Sequence, residues 1–241
     1  MPRVTGAERV YQAVYADIRG RVLQPGDVVR EDILARQYSL SRTPVREALR
    51  RLVQDGLCEK HGAGLRISLP TLDQVHEIYP IVSVLEGLAA RLCAEQLEGA
   101  TLQRLEELDA DMRTMTAAQD TAGYVEMNQK FHDVILSATR NANLVQTVQR
   151  LRLITLALRR YQLGIGSRMD QSSDEHGELM AAFRSRDGPA AEEAMRRHVD
   201  AGHRLLATAL SRTALFDPDQ AVPAAHPNPR TQLPVDHTLE E

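Results

Sequence analysis

The sequence predicts a mainly α-helical chain in two parts, a small helical unit ending in a β-hairpin and a larger all-α antiparallel helical bundle. Three observations carry this. Apolar residues recur at helical spacing through most of the 241 residues. One stretch, LCEKHGAGLRISL (57–69), instead alternates apolar and polar residues around a glycine-rich tip, the pattern of a short hairpin. Charge is also divided: residues 1–70 hold 12 basic and 8 acidic side chains, net +4, while the remainder is net -8. A small basic module joined to an acidic body suits a chain whose first part meets a polyanion.

The elements follow in order. Val10, Val14 and Ile18 make a first helical stripe that closes near QPGD (24–27), a turn signal. A short helix is expected over 31–37. The next begins near Thr43, which can cap it with Pro44 in the first turn, and ends at Asp55-Gly56. After the hairpin, Pro70 closes the unit. Thr71 and Gln74 spell a capping box. Helices are then expected near 72–97 (bent at Pro80), 101–118, 120–138, 142–162, 172–186 and 189–212. Gly99, Asn141, Gly164, Gly166 and Gly188-Pro189 mark the turns between them. Residues 213–241 hold five of the eleven prolines and no periodic pattern, which predicts a disordered tail. The expected division is therefore 1–70, 71–212 and 213–241.

No apolar run approaches the roughly 18 residues of a membrane helix, and the N-terminus lacks the apolar core of a signal peptide. Cys58 and Cys93 are lone thiols without a CxxC spacing, as expected for packing residues in a reducing cytoplasm.

The helix in SLSRTPVREALRRL (39–52) carries four arginines and one acid. On a helical wheel Val45, Ala48, Leu49, Leu52 and Val53 share one face, while Thr43, Arg46, Glu47, Arg50 and Gln54 fill the other, with Arg42 at the entry. The apolar face can dock on the preceding helices. The other offers forked guanidinium donors for phosphates or guanine edges, although a solvated charged face is the commoner fate of such a pattern. A short helix before it, a tight turn through Ser39-Leu40 and a glycine-tipped hairpin after it make a winged helix-turn-helix. GDVVREDILARQYSLSRTPVREALRRLVQDGLCEK closely resembles the DNA-binding head of the GntR family of bacterial transcription regulators, over about residues 8–68. The resemblance implies that Arg42, Thr43 and Arg46 contact double-stranded DNA, and Arg50, on the same arc, is a further DNA-binding candidate. It also implies that the wing, His61-Gly62-Ala63-Gly64, enters the adjacent minor groove, though this tip is a residue or two shorter than the usual one. Glu47 reads better as a brace for Arg50 or Arg51 than as a base contact.

The second part raises a different question. Val125, Asn128, His132 and Ile135 follow a seam spacing, as do His176, Leu179 and Phe183, and again Ala191, Met195, His198, Gly202 and Leu205. Three helices thus point histidine toward an apolar interior, one with an oxygen ligand four residues earlier. A lone buried histidine is usually a hydrogen-bonded core residue. Three on core seams need partners or a metal, since unpaired buried polar groups cost about 1–3 kcal/mol each. Three imidazoles and an oxygen suit a divalent transition metal, zinc or nickel, with positions left open.

NQKFHDVILSATRNANL and DEHGELMAAFRSRDGPAAEEAMRRH resemble the FCD effector domain of the FadR-like GntR subfamily, over about 75–212. The resemblance implies a metal held by Asn128, His132, His176 and His198. Asparagine stands where the family also uses aspartate, which removes a negative charge. The family's effector-holding arginine, one turn before Leu85-Glu86, is Val82 here. A carboxylate effector would then need Arg152, Arg159 or Arg160, and Arg152 and Arg159 are the effector-binding candidates; solvated helix flank is the competing reading.

The function expected is a metabolite-responsive repressor that binds a palindromic operator as a cytoplasmic homodimer, with no membrane contact. A metal-dependent hydrolase using the histidine cluster is the alternative, and a purely structural metal is a third. Against the hydrolase, no acid stands at a spacing suited to a general base, and Glu175 is expected to face away from its neighbour His176.

Overall fold

The computed structural model describes residues 4–20, 22–62, 64–68 and 70–212, without the side chains at 156, 157, 159–161 and 210–212. They form two compact units, 4–68 and 70–212. The expected tail, 213–241, lies outside the described residues.

In the first unit α1 (Gly6–Arg19) is capped by Thr5, whose side chain accepts from the Glu8 amide at 3.1 Å. A short strand β1 (Val28–Val29) precedes α2 (Glu31–Tyr38), α3 (Arg42–Gln54), β2 (Cys58–His61) and β3 (Gly64–Ile67). The antiparallel sheet runs β1-β3-β2, with Val28 opposite Arg66 and His61 opposite Gly64. Two valines are too short a run to show alternation, so β1 has no signature in the sequence. Ser39 ends α2 in the left-handed region at φ 52°, which turns the chain sharply into α3. The residue at the entry of α3 is Ser41, in extended backbone, and not Thr43 as expected. Thr43 is already inside the first turn, and Pro44 lacks an N–H where the helix would have left one unpaired. Val45, Ala48 and Leu52 are buried to 0–1% exposure against α1 and α2, with Val10 and Val14.

The second unit holds α4 (Leu72–Glu95), α5 (Gly99–Ala117), α6 (Thr121–Ala138), α7 (Ala142–Leu163), α8 (Arg168–Ser185) and α9 (Gly188–Arg212). Thr71 and Gln74 form the expected capping box. α4 continues through Pro80 and runs along α9. Their approach depends on Gly87: a Cβ there would meet Arg196 Cγ at 2.6 Å. α5 packs on α6 and α8, and α8 on α9. Tyr124, Phe131, Phe183, Leu108 and Met195 fill the interior. Full burial of one such side chain contributes roughly 1.5–3 kcal/mol. The helix expected from 172 instead begins at Arg168, a full turn earlier, despite the Gly- and Ser-rich approach GIGSRMDQSS. Cys58 and Cys93 are buried free thiols. No described helix is long and apolar enough to cross a membrane.

Candidate functional site

The charged side of α3 is open to solvent. Arg42, Thr43, Arg46 and Arg50 are all exposed, as are His61 and Gly62 at the hairpin tip. Gly64 is half-buried against the Val29 carbonyl, and Ala63 lies outside the described residues. Gly62 has φ 54°, which the two-residue tip between His61 and Gly64 requires. Arg46 Nε donates to Glu31 Oε2 at 2.7 Å, and Arg42 Nε lies 3.9 Å from the other oxygen of the same carboxylate. Glu31, at the start of α2, thus holds two arginines of α3 on one face of the unit. Arg51 is braced by Glu8 at 2.6 Å and stacks over Tyr11, with its Cζ atom 3.8 Å from the ring centroid. Of the two partners expected for Glu47, Arg50 or Arg51, Arg51 is engaged by Glu8 of α1, toward which it turns.

In the second unit α6, α8 and α9 bring His132, His176 and His198 together. One nitrogen from each lies within 4.8 Å of the others, and all three rings are buried. Centroids are 4.7 Å apart for His176 and His198 and 5.2 Å for His132 and His198. Each Nδ1 faces an acceptor. His198 Nδ1 meets Glu175 Oε2 at 2.6 Å, and His176 Nδ1 lies 3.4 Å from the Tyr124 hydroxyl. His132 Nδ1 comes within 3.0 Å of Glu86 Oε2, off the hydrogen-bond axis. The Nδ1–H tautomer fits these neighbours and leaves the Nε2 lone pairs for the shared space. Nε2 of His132 and of His176 are buried with no hydrogen-bond partner, and so is Asn128 Oδ1. Burial pulls the His132 imidazole down to about 3 against the partial support of Glu86, and burial also lowers His176 and His198. All three rings are neutral near pH 7, the state in which imidazole ligates metal.

A small cavity of about 40 Å³ opens beside this centre, lined by Asn128, His132, His198, Arg168, Ser172 and Gln162 among others. Orphaned Nε2 atoms, an orphaned amide oxygen and a polar cavity at their side make a donor set that fits one divalent ion.

The carboxylates depart from the sequence reading. Glu175 was expected to face away, yet it binds His198, and Arg168 Nη2 donates to the same oxygen at 2.8 Å. A hundred degrees of rotation away from His176 turns it toward α9. Glu86, at 0% exposure, stands beside His132 and accepts from Arg152 Nε at 2.6 Å. Acids therefore do sit beside the histidines, supplied partly by α4, where spacing on the histidine helices shows nothing. Arg152 is not a solvated flank either: its side chain is 11% exposed and also lies 3.5 Å from Asp133. Its guanidinium is committed to Glu86 and Asp133 and is not turned to the cavity lining. The side chain of Arg159 lies outside the described residues. Val82, in the position of the family's arginine, is buried. Arg168 was not singled out from the sequence, because the expected helix began four residues after it.

Comparison with known proteins agrees with both halves of this description. The family model for bacterial regulatory proteins of the gntR family matches residues 6–67, and that for the FCD domain matches residues 77–201. A probable D-xylose utilization operon transcriptional repressor of Paenarthrobacter nicotinovorans is 30% identical over 205 residues, covering 83% of this chain and 88% of that protein. The transcriptional repressor RspR of Escherichia coli is 23% identical, covering 80% of this chain and 85% of its own. Among solved structures, Escherichia coli McbR/YncC shares the fold at TM-score 0.70 and 22% identity, over 86% of this chain and 99% of that one. Both family models and the two named repressors describe transcription regulators and not enzymes, which sets the hydrolase alternative aside. The chain belongs to the GntR family of DNA-binding transcription regulators, with an FCD domain following its helix-turn-helix head.

Proposed function

We propose that the chain is a metabolite-responsive repressor acting in the cytoplasm, in which residues 1–70 read DNA and residues 71–212 bind effector and dimerise. Arg42, Thr43, Arg46 and Arg50 would meet a half-site of a palindromic operator, with His61, Gly62 and Gly64 at the minor groove. Their joint exposure on α3 and the hairpin supports this reading. Asn128, His132, His176 and His198 would hold zinc, or nickel, at one side of the effector cavity. When bound, the ion supplies a Lewis-acid site that a ligand oxygen can occupy. Glu175 and Glu86 fix the orientation of His198 and His132, and the buried helices exclude bulk water.

The observation that carries the proposal is the convergence of three buried imidazoles, two of which, His132 and His176, have Nε2 atoms without a hydrogen-bond partner. Metal analysis of purified protein after zinc loading tests it. Wild type should hold one ion per chain, and His176→Ala well below one, because two imidazoles and an amide make a poor zinc site. A wild-type chain that takes up no divalent metal would leave the histidines as ordinary core residues.

A further inference from the structure

His76 on α4 and His203 on α9 are 127 residues apart in the chain and meet side by side. His203 Nε2 lies 3.2 Å from His76 Nδ1, and the ring centroids are 5.2 Å apart at 67°. His76 is exposed and His203 half-buried. Tyr79, one turn after His76, stacks on the His203 ring, with centroids 4.9 Å apart and planes 11° off parallel. That contact fixes the plane of His203, while His76, at the surface, can change rotamer to meet a ligand. The pair is apart from the buried centre: His203 is five residues past His198 and so on another side of α9.

Two imidazole nitrogens at this distance can share a proton, a surface hydrogen bond for which water competes, or present both lone pairs to one ion. At zinc–nitrogen bonds of roughly 2.0–2.1 Å, nitrogens 3.2 Å apart subtend about 100° at the metal, close to the tetrahedral angle. The charges nearby suit a cation. Asp200 stands one turn before His203 on α9, and Asp73 one turn before His76 in the first turn of α4, while Arg204 opposes them. Burial first, and then His76, hold His203 below the ordinary imidazole value against the pull of Asp200, which favours the neutral, ligating ring. We infer that His76 and His203 form a second divalent transition-metal site, a surface clip that joins the start of α4 to α9. Imidazole ligands suit zinc, nickel or copper(II). The shared proton moves to the far nitrogen of the ring that donated it, so both rings stay neutral on binding. With two protein ligands and water in the remaining positions, the clip is weaker than a four-ligand buried centre. It fills only above the zinc level that saturates that centre. The ion requires α4 and α9 to be packed together, so it stabilises the bundle by mass action. The clip stands on its own geometry and not on the reading of the buried histidines.

The test is zinc titration of the full chain at neutral pH, with bound ion counted by equilibrium dialysis and a melting curve at each zinc level. At excess zinc, His76→Ala and His203→Phe should each bind one ion fewer per chain than wild type. The double variant should lose no more than either single one, because both side chains serve one ion. His176→Ala should keep the ion that His76→Ala loses. The further rise in melting temperature that wild type shows at excess zinc should be absent from both single variants. Phenylalanine keeps the stack on Tyr79 without a nitrogen; should His203→Phe still fold poorly by circular dichroism, His76→Ala, at the surface, decides. A zinc count in His76→Ala equal to wild type overturns the clip, and so does a double variant that loses two ions. An ion lost with His176→Ala and none with His76→Ala rejects the clip and leaves the buried centre standing. The converse result rejects the buried centre and leaves the clip.

Discussion

Arg46 is held by a carboxylate in the free protein, and DNA must offer something better. Its bond to Glu31 is 2.7 Å long, but the arginine is 61% exposed, so the pair adds little stability. Removing Arg46 should therefore leave the melting temperature almost unchanged. It should weaken specific operator binding by about 1–3 kcal/mol, the usual worth of a forked contact to a base edge. Operator titration of Arg46→Ala against wild type at one salt concentration checks this, and equal affinities would take Arg46 off the base-reading surface. Periodicity within one helix was enough to place Arg46 on the open face. It was not enough for Glu175 or Arg51, whose partners lie on other helices. A wheel fixes the angle between His176 and Glu175, but not the side on which α9 lies. The carboxylate of Glu175 thus belongs to the histidine centre although its sequence position argued against it.

The same contrast holds for whole elements. Repeats of three and four residues marked the seams of α6, α8 and α9, and Asn128, His132, His176 and His198 are all buried along them. The first turn of α8 was not legible, since glycine and serine in the approach to Arg168 read as turn until packing decides otherwise. Tertiary burial overrides weak local preference there, and the turn so gained carries the charged group of the cavity. α4 shows the reverse case, with a readable pattern and no partner in one chain. Its Gly87 side lies against α9, while Ile81, Val84 and Leu88 are 52, 48 and 38% exposed at spacings of three and four. If two copies read a palindrome, as proposed, this exposed stripe offers an apolar face on which they could meet. Val84→Asp should shift the chain from dimer to monomer in sedimentation, because a charge cannot be buried unpaired in such a seam. It should also weaken binding to the full palindrome far more than to a half-site, as the second head is no longer linked. A variant that remains dimeric would place the contact elsewhere.

At the scale of the molecule, DNA reading and metal binding are assigned to separate compact units, so disturbing one should spare the intrinsic affinity of the other. An ion that joins α6, α8 and α9 binds only the folded bundle and stabilises it by mass action. With free zinc at a hundred times its Kd, the gain is about 2.7 kcal/mol. Wild type should therefore melt higher after zinc loading and fall back when a chelator removes the metal. His176→Ala should show no zinc-dependent shift. Its operator affinity without effector should match metal-free wild type at the same salt, because α3 and the hairpin contain none of the ligands. What it should lose is regulation. An effector that relieves operator binding in wild type does so through its different affinity for two states of the protein, and DNA must weaken the effector by the same factor. Without the ion and its oriented imidazoles that difference disappears, and the operator titration should become indifferent to effector. Melting curves with zinc and with chelator, followed by operator titrations of both proteins, measure each step. A His176→Ala protein that still responds to effector as wild type does would show that the switch does not pass through the histidine centre.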